Sequence, residues 1–546
     1  MALHPSVADR LARLAPDQRA AATAAPGPVL CIAPAGSGKT TTLVARVAWL
    51  VASGTAASTI TAIAFNRRAA EELTDRLDAA LSPLGVRPRD VTVRTFHALG
   101  REILAQSGVA VDRLVDRDEV LRRLFPAADL ATRRRLDTGF SRLKLDLGVM
   151  PDEVAGDPDA GPTARAWLAY ESALRETGSL DFDDLVARAV RLLEREPRVL
   201  GRWRASSANL LVDEVQDLDR CQLRMALLLA APANRIFMVG DDDQSVYGWR
   251  LADVRRVLSL ADRLPGLRRV DLEVNYRCPR PVVERAVRLV SHNRERFAKT
   301  VRAAPAARGR LVLAPDGSED TTRIRRVLGS WPDDDGIRAI LARTNRELLP
   351  AAAVALDLGL PFRSPPMPWP LESPYVDELL AAALAEPATG VLARLGRVRD
   401  TALARQRTGG PDEDQPFTRL EIANALLAWA ARVDDLDGLV TAIEDQRGRL
   451  ATLRRDDAPL VLATAHGTKG LEFDHVAVLA DGFPGHPRDG TAEPERMLEE
   501  ERRLAYVAWT RARRSLTLVY DPAAPSSFLA EAFSAEELAL EATVAA

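Results

Sequence analysis

Short apolar runs alternate with longer helix-like stretches along most of this chain. Val29-Leu30-Cys31-Ile32 and Asn209-Leu210-Leu211-Val212 read as strands, and RAILARTNREL (338–348) reads as a strand running into a turn. Residues 99–204 carry helical patterns with no obvious buried strand. Apolar positions at helical spacing recur in VDELLAAALA (376–385) and LEIANALLAWAARV (420–433), divided by the loop TGGPDEDQP (408–416). The pattern predicts two parallel-sheet α/β domains with helical insertions.

Two loops that follow predicted strands change this picture from architecture to chemistry. After Ile32 comes Ala33-Pro34-Ala35-Gly36-Ser37-Gly38-Lys39-Thr40, a phosphate-binding loop with Ala33 where the strict pattern has its first glycine. Glycines let the backbone curl so that N–H groups and a helix N-terminus face phosphates, Lys39 reaches the β and γ oxygens, and the Thr40 hydroxyl can ligate Mg²⁺. The second strand ends in Asp213-Glu214-Val215-Gln216-Asp217. An aspartate there can hold Mg²⁺ through water while the adjacent glutamate polarises the attacking water, so the pair predicts ATP hydrolysis.

Composition bounds the rest. At 546 residues, 47% hydrophobic and 28% charged, the chain is an ordinary multidomain globular protein. It has no run of eighteen apolar residues and no signal-peptide core, which predicts a cytoplasmic protein. Cys31, Cys221 and Cys278 have no metal spacing and imply no disulfide framework. The formal net charge of −3 means that any nucleic-acid site is a local groove. Lysine occurs only at Lys39, Lys144, Lys299 and Lys469 in an arginine-rich chain, so a compact ammonium is reserved for special places.

The ordered set of motifs resembles the UvrD/Rep/PcrA branch of superfamily 1 DNA helicases. It comprises Gln18 in LARLAPDQRAA, the phosphate loop, ITAIAFNRRAAEEL (60–73), VTVRTFHALG (91–100), LVDEVQD (211–217), MVGDDDQSVYGWR (238–250), LEVNYRCP (272–279), ATAHGTKGLEFDHV (463–476) and EERRLAYVAWTRARRSL (500–516). The resemblance implies two RecA-like P-loop cores. The first core would span 1–98 and 205–270 around a helical insertion at 99–204. The second would span 271–369 and 452–525 around a reduced insertion at 370–451, with a short acidic segment at 526–546.

It further implies a nucleotide site of Gln18, Ala35, Gly36, Ser37, Gly38, Lys39, Thr40, Thr41, Tyr276 and Glu472, with Thr40 and Asp213 on Mg²⁺. Lys39, Glu214, Gln244, Arg277 and Arg511 would be catalytic, the two arginines acting as fingers from the second core. Phe65, His97, Tyr247, Trp249, Thr464 and His466 match positions along a single-strand channel, where aromatic faces stack on bases. The implied activity is a DNA-dependent ATPase that moves 3′→5′ along single-stranded DNA and unwinds at single-strand/duplex junctions.

Several features leave alternatives open. The reduced second insertion is compatible with a helicase-like ATPase subunit of a repair or defence complex activated by a nuclease partner, or with a nucleotide-gated remodeller of RNA polymerase. The basic stretch ATRRRLDTGFSRLKLDLG (131–148) reads equally as a phosphate-backbone contact or a solvated helix face. Leu251 and Val215 depart from the family's usual glycine and aromatic at those places.

Overall fold

The apolar runs become the strands of two separate parallel sheets in the computed structural model, which describes residues 3–407, 416–485 and 493–538. The first sheet contains β1 (Val29–Ile32), β2 (Ile60–Ala64), β3 (Thr92–Thr95), β4 (Asn209–Val212), β5 (Ile236–Gly240) and β6 (Arg268–Asp271), in the order β3-β2-β4-β5-β1-β6. A small parallel pair follows, β7 (Val274–Asn275) with β8 (Arg302–Ala303). The second sheet contains β9 (Arg310–Pro315), β10 (Arg338–Ala342), β11 (Phe362–Arg363), β12 (Leu460–Thr464), β13 (Phe473–Leu479) and β14 (Ala512–Tyr520), in the order β11-β12-β10-β13-β14-β9.

Every residue of β1, β2, β4 and β5 is buried, whereas the edge strands β3 and β6 are only partly so. Uniform apolarity is what a parallel strand covered on both faces needs. Side-chain alternation then sorts neighbours between two cores. Leu30, Ile32, Leu210, Val212 and Met238 share one core with the helices Phe96–Gln106, Phe182–Arg195 and Arg220–Ala230. Val29, Cys31, Leu211, Phe237 and Val239 share the other with Lys39–Ala52 and Arg67–Leu81.

The chain divides into two compact units: it passes from the first to the second at Gly309/Arg310, returns to the first after Gly485, and enters the second again at Thr510/Arg511. The first unit ends with the helix Pro494–Trp509. Residues 271–309, assigned from sequence to the second core, group with the first unit. The cause lies in backbone bonds: Tyr276 N–H donates to the Gly36 carbonyl at 2.9 Å and Leu272 N–H to the Ile32 carbonyl at 2.8 Å. Within the first unit, the helices Leu130–Ser141 and Pro162–Thr177 build a separate small core around Phe140, Trp167, Tyr170 and Leu174.

In the second unit, the helices Pro374–Ala385, Val391–Arg407, Arg419–Ala430 and Leu436–Leu453 pack around Tyr375, Leu395, Leu426 and Leu439. The loop expected between the middle two falls at 408–415, outside the described residues. The segment read as a short acidic terminus begins with a packed helix, Ser527–Ala532, whose Phe528 and Leu529 are fully buried. Among the described residues no helix is long and apolar enough to cross a membrane.

Candidate nucleotide site and aromatic cleft

Because every strand of the first sheet runs the same way, the loops after β1, β2, β3, β4 and β5 emerge at one edge, the usual ligand edge of such sheets. The loop after β1 turns through Gly36 (φ 68°) and Gly38 (φ 83°) into the helix Lys39–Ala52. Each glycine also answers to a neighbour. A Cβ at Gly38 would lie 2.6 Å from the Gln18 amide nitrogen, and one at Gly36 would lie 2.7 Å from the Arg277 Cβ.

Gln18 reaches the loop directly, its Nε2 donating to the Ser37 carbonyl at 2.8 Å. The Ser37 hydroxyl is buried with no protein partner. A curled glycine loop at a helix N-terminus, with a buried hydroxyl awaiting an acceptor, fits a nucleotide's phosphates. Ala35 lies buried in the loop wall, and Thr41 is exposed at the start of the helix. Tyr276, 51% exposed, and Arg277 sit on the turn laid over Gly36.

Asp213 and Glu214 close this edge at the end of β4. Asp213 N–H donates to the Ile63 carbonyl at 2.9 Å, and its own Oδ1 accepts from Glu214 N–H at 2.9 Å. Glu214 takes the left-handed conformation (φ 49°), costly for a non-glycine residue and characteristic of functional turns. Its Oε1 stands 4.0 Å from Lys39 Nζ, and Gln216 Nε2 donates to its Oε2. From the next strand, Gln244 Nε2 donates to Asp241 Oδ2 at 2.7 Å, and Asp241 N–H donates to Gln216 Oε1 at 3.0 Å. Lys39, Glu214, Gln244 and Arg277 are thus gathered in one unit with Gln18, Thr40, Asp213 and Tyr276. Thr40, at the start of the helix after the loop, and Asp213, at the end of β4, are oxygen donors of the kind a Mg²⁺ ion would take beside waters and substrate phosphates.

Sequence reasoning missed the support beneath Gln244. Lys299 is buried and its ammonium lies 2.9, 2.5 and 2.9 Å from the carboxylates of Asp241, Asp242 and Asp243. Burial alone would push the Asp241 carboxyl up, but Lys299 and Lys39 outweigh it and hold the group below its ordinary range. Arg296 adds a two-pronged bond to Asp243 at 2.9 and 2.7 Å. Lys299→Met is expected to lower folding stability by about 3–5 kcal/mol, because it strands carboxylates in the interior. A urea midpoint unchanged from wild type would contradict that account.

Beside this site opens a cleft of about 670 Å³ lined by Phe65, Thr95, His97, Phe182, Trp249 and Arg250 among others. Its aromatics form a ladder. Phe65 stacks on Tyr247 with centroids 5.2 Å apart, Tyr247 meets Trp249 edge-on at 6.1 Å, and His97 stacks on Phe182 at 4.2 Å. Trp249 and Phe182 are 56% and 57% exposed, so their faces are open to a ligand. Burial, with a smaller push from Arg250, lowers the His97 pKa to about 4 against the opposing pull of Asp183, so the ring is neutral at pH 7.

Three of the carboxylates in the cleft wall are compensated. Arg117 bonds Asp137, Asp181 and Asp183 at 2.8, 2.7 and 2.6 Å. Phe182 escaped the sequence reading because DFDDL marks it as one more apolar helix residue; only its position beside the Asp181 helix cap, facing His97, distinguishes it. The basic stretch 131–148 divides. Arg133 is buried against Asp118 at 2.9 Å, Lys144 is buried among Glu171, Asp181 and Asp184, and Arg134 and Arg135 stay exposed.

The remaining expected residues lie in the second unit. Arg511 is buried, its Nη1 donating to the Leu471 carbonyl at 3.1 Å. Glu472 lies 3.6 Å from Arg513. Thr464 ends β12 and accepts from Gly467 N–H at 3.3 Å, one residue beyond His466.

Two parallel sheets, the first bearing a phosphate loop after its β1 strand, define a protein built from RecA-like P-loop domains. The profile of the UvrD/REP helicase N-terminal domain matches residues 14–265, and that of the UvrD-like helicase C-terminal domain matches 439–522. DNA helicase II of Salmonella typhimurium is 27% identical over 92% of this chain and 84% of its own length. ATP-dependent DNA helicase PcrA of Leuconostoc citreum is 26% identical over 90% and 80%, and ATP-dependent DNA helicase Rep of Escherichia coli is 26% identical over 92% and 90%. The chain belongs to the UvrD/Rep helicase family.

Proposed function

We propose that this chain is an ATP-dependent DNA helicase that translocates on single-stranded DNA, with 3′→5′ polarity following from the motif resemblance. One observation carries the reading. Asp241 and Gln244 stand at the nucleotide end of the loop after β5, and Tyr247 and Trp249, a few residues on, stand in the aromatic ladder. A change at the phosphates therefore has a short covalent path to the bases.

In this reading Lys39 and Arg277 balance charge on the phosphates, Glu214 takes the proton of the attacking water, Gln244 senses the γ-phosphate, Gln18 reads the adenine edge and Tyr276 stacks on its ring. Mg²⁺ between Thr40 and Asp213 would neutralise phosphate oxygens as charge develops. Phe65, His97, Phe182, Tyr247 and Trp249 offer stacking faces, each worth about 1–3 kcal/mol per base and tolerant of sequence. Open rings beside acids that are only partly compensated suit a strand held by its bases as much as by its phosphates. Arg511 and Glu472 in nucleotide handling, and Thr464 and His466 on DNA, are assigned by the motif resemblance.

A cytoplasmic location follows from the same reading. No specific observation favours a nuclease partner or polymerase remodelling over this function. Steady-state ATP hydrolysis is expected to rise strongly with single-stranded DNA and little with a blunt duplex of equal nucleotide content. Turnover indifferent to both would overturn the motor reading.

A further inference from the structure

The helix Pro494–Trp509 touches both ends of the first unit's machinery. Midway along it, Glu500 Oε1 accepts the Gly248 N–H at 2.8 Å, gripping the backbone between Tyr247 and Trp249. The fit is close: a Cβ added at Gly248 would run into the Glu500 carboxylate. Along the same helix, Arg496 bonds Asp253 and Glu295 at 3.0 Å each, and Glu499 accepts the Arg294 N–H at 2.8 Å. At its far end the Thr510 carbonyl accepts from Arg277 Nη1 at 3.2 Å and from Cys278 Sγ at 3.4 Å. Ten residues at a rise of 1.5 Å put these two grips about 15 Å apart along the axis.

Arg277 is laid over the phosphate loop, and Tyr247 and Trp249 belong to the aromatic ladder. A helix fastened to both is a strut between them. We infer that Glu500 is a positioning residue whose bond to Gly248 ties the base-stacking loop to the helix holding Arg277, so that nucleotide state and DNA grip change together. The inference rests on the motor reading and adds a second route beside the loop after β5. Glu500 touches neither nucleotide nor base in this scheme. It acts by fixing the loop that carries two rings, through the acceptor oxygen it places at Gly248.

The test separates coupling from shape. Glu500→Leu removes the acceptor at similar size, and Glu500→Gln keeps an acceptor oxygen. ATP turnover is measured with and without an oligo-dT strand, and strand affinity with and without a non-hydrolysable ATP analogue. In Glu500→Leu, turnover without DNA and nucleotide-free strand affinity stay near wild type, while DNA stimulation falls about tenfold and the analogue no longer shifts strand affinity. Glu500→Gln retains both responses. Gly248→Ala, which pushes the carboxylate away from the other side, reproduces the loss and serves if Glu500→Leu folds poorly.

Three results overturn the inference: full DNA stimulation in both Glu500→Leu and Gly248→Ala, an equal loss of strand affinity with and without the analogue, or failure of Glu500→Gln alongside Glu500→Leu. A wild-type protein indifferent to oligo-dT sinks the motor reading and this inference with it. A stimulated wild type beside an unaffected Glu500→Leu and an unaffected Gly248→Ala sinks the inference alone.

Discussion

Glu214→Gln is expected to cut ATP turnover about 10³-fold while leaving nucleotide affinity nearly intact. The substitution is isosteric, so the turn at φ 49° and the neighbouring Asp213 bond are preserved. What disappears is the only property a general base needs, a carboxylate able to take a proton. Lys39, 4.0 Å from that carboxylate, stays in place to meet the phosphates. Steady-state hydrolysis paired with equilibrium binding of a fluorescent ATP analogue gives both numbers. Wild-type turnover in the variant would remove Glu214 from the chemistry, and a parallel collapse of binding would make it a structural residue.

The phosphate loop and the Asp213-Glu214 pair were legible in sequence because their chemistry demands particular residue types within a few positions, whereas Gln244 was named through the motif resemblance. Strands were legible for a related reason. A strand covered on both faces must be nearly all apolar, as β1 and β5 are and as β2 and β4 are apart from Thr61 and Asn209. What stayed hidden depends on residues far apart along the chain. Lys299 meets Asp241 across 58 positions and Glu500 meets Gly248 across 252, distances over which no local pattern speaks. Phe182 stayed hidden because exposure, rather than residue type, sets it apart.

The four lysines show where a physical hint stopped short. Their scarcity flagged them, and two fell within motifs. The structure accounts for the other two: Lys144 and Lys299 each sit buried among three carboxylates. A compact ammonium with three donors fits such a cage, whereas the larger planar guanidinium meets several carboxylates only where they lie around its edge, as Arg117 meets Asp137, Asp181 and Asp183. Leu251 is the converse case. It replaces the family's glycine yet keeps a glycine-like φ of 67°, so the turn geometry is imposed by the surrounding structure.

Arg277→Ala is expected to lower turnover by roughly 10³–10⁵-fold, the range lost when a charge-stabilising arginine leaves a phosphoryl-transfer site. The placement is what the expectation rests on. Tyr276 N–H is bonded to the Gly36 carbonyl, and Asn275 Oδ1 accepts both Arg277 N–H and Cys278 N–H at 2.8 Å, so the turn keeps its seat on the phosphate loop without the guanidinium. Binding of ATP then survives while the charge developing on the transferred phosphoryl goes unanswered. Arg277→Lys restores charge but not the planar fork, and turnover should recover only in part. Turnover within a few fold of wild type in Arg277→Ala would reduce this arginine to a tether for the Thr510 carbonyl. Combining it with Glu214→Gln should add far less than the product of the two losses, since groups serving one chemical step fail together; fully multiplicative losses would place them on separate steps.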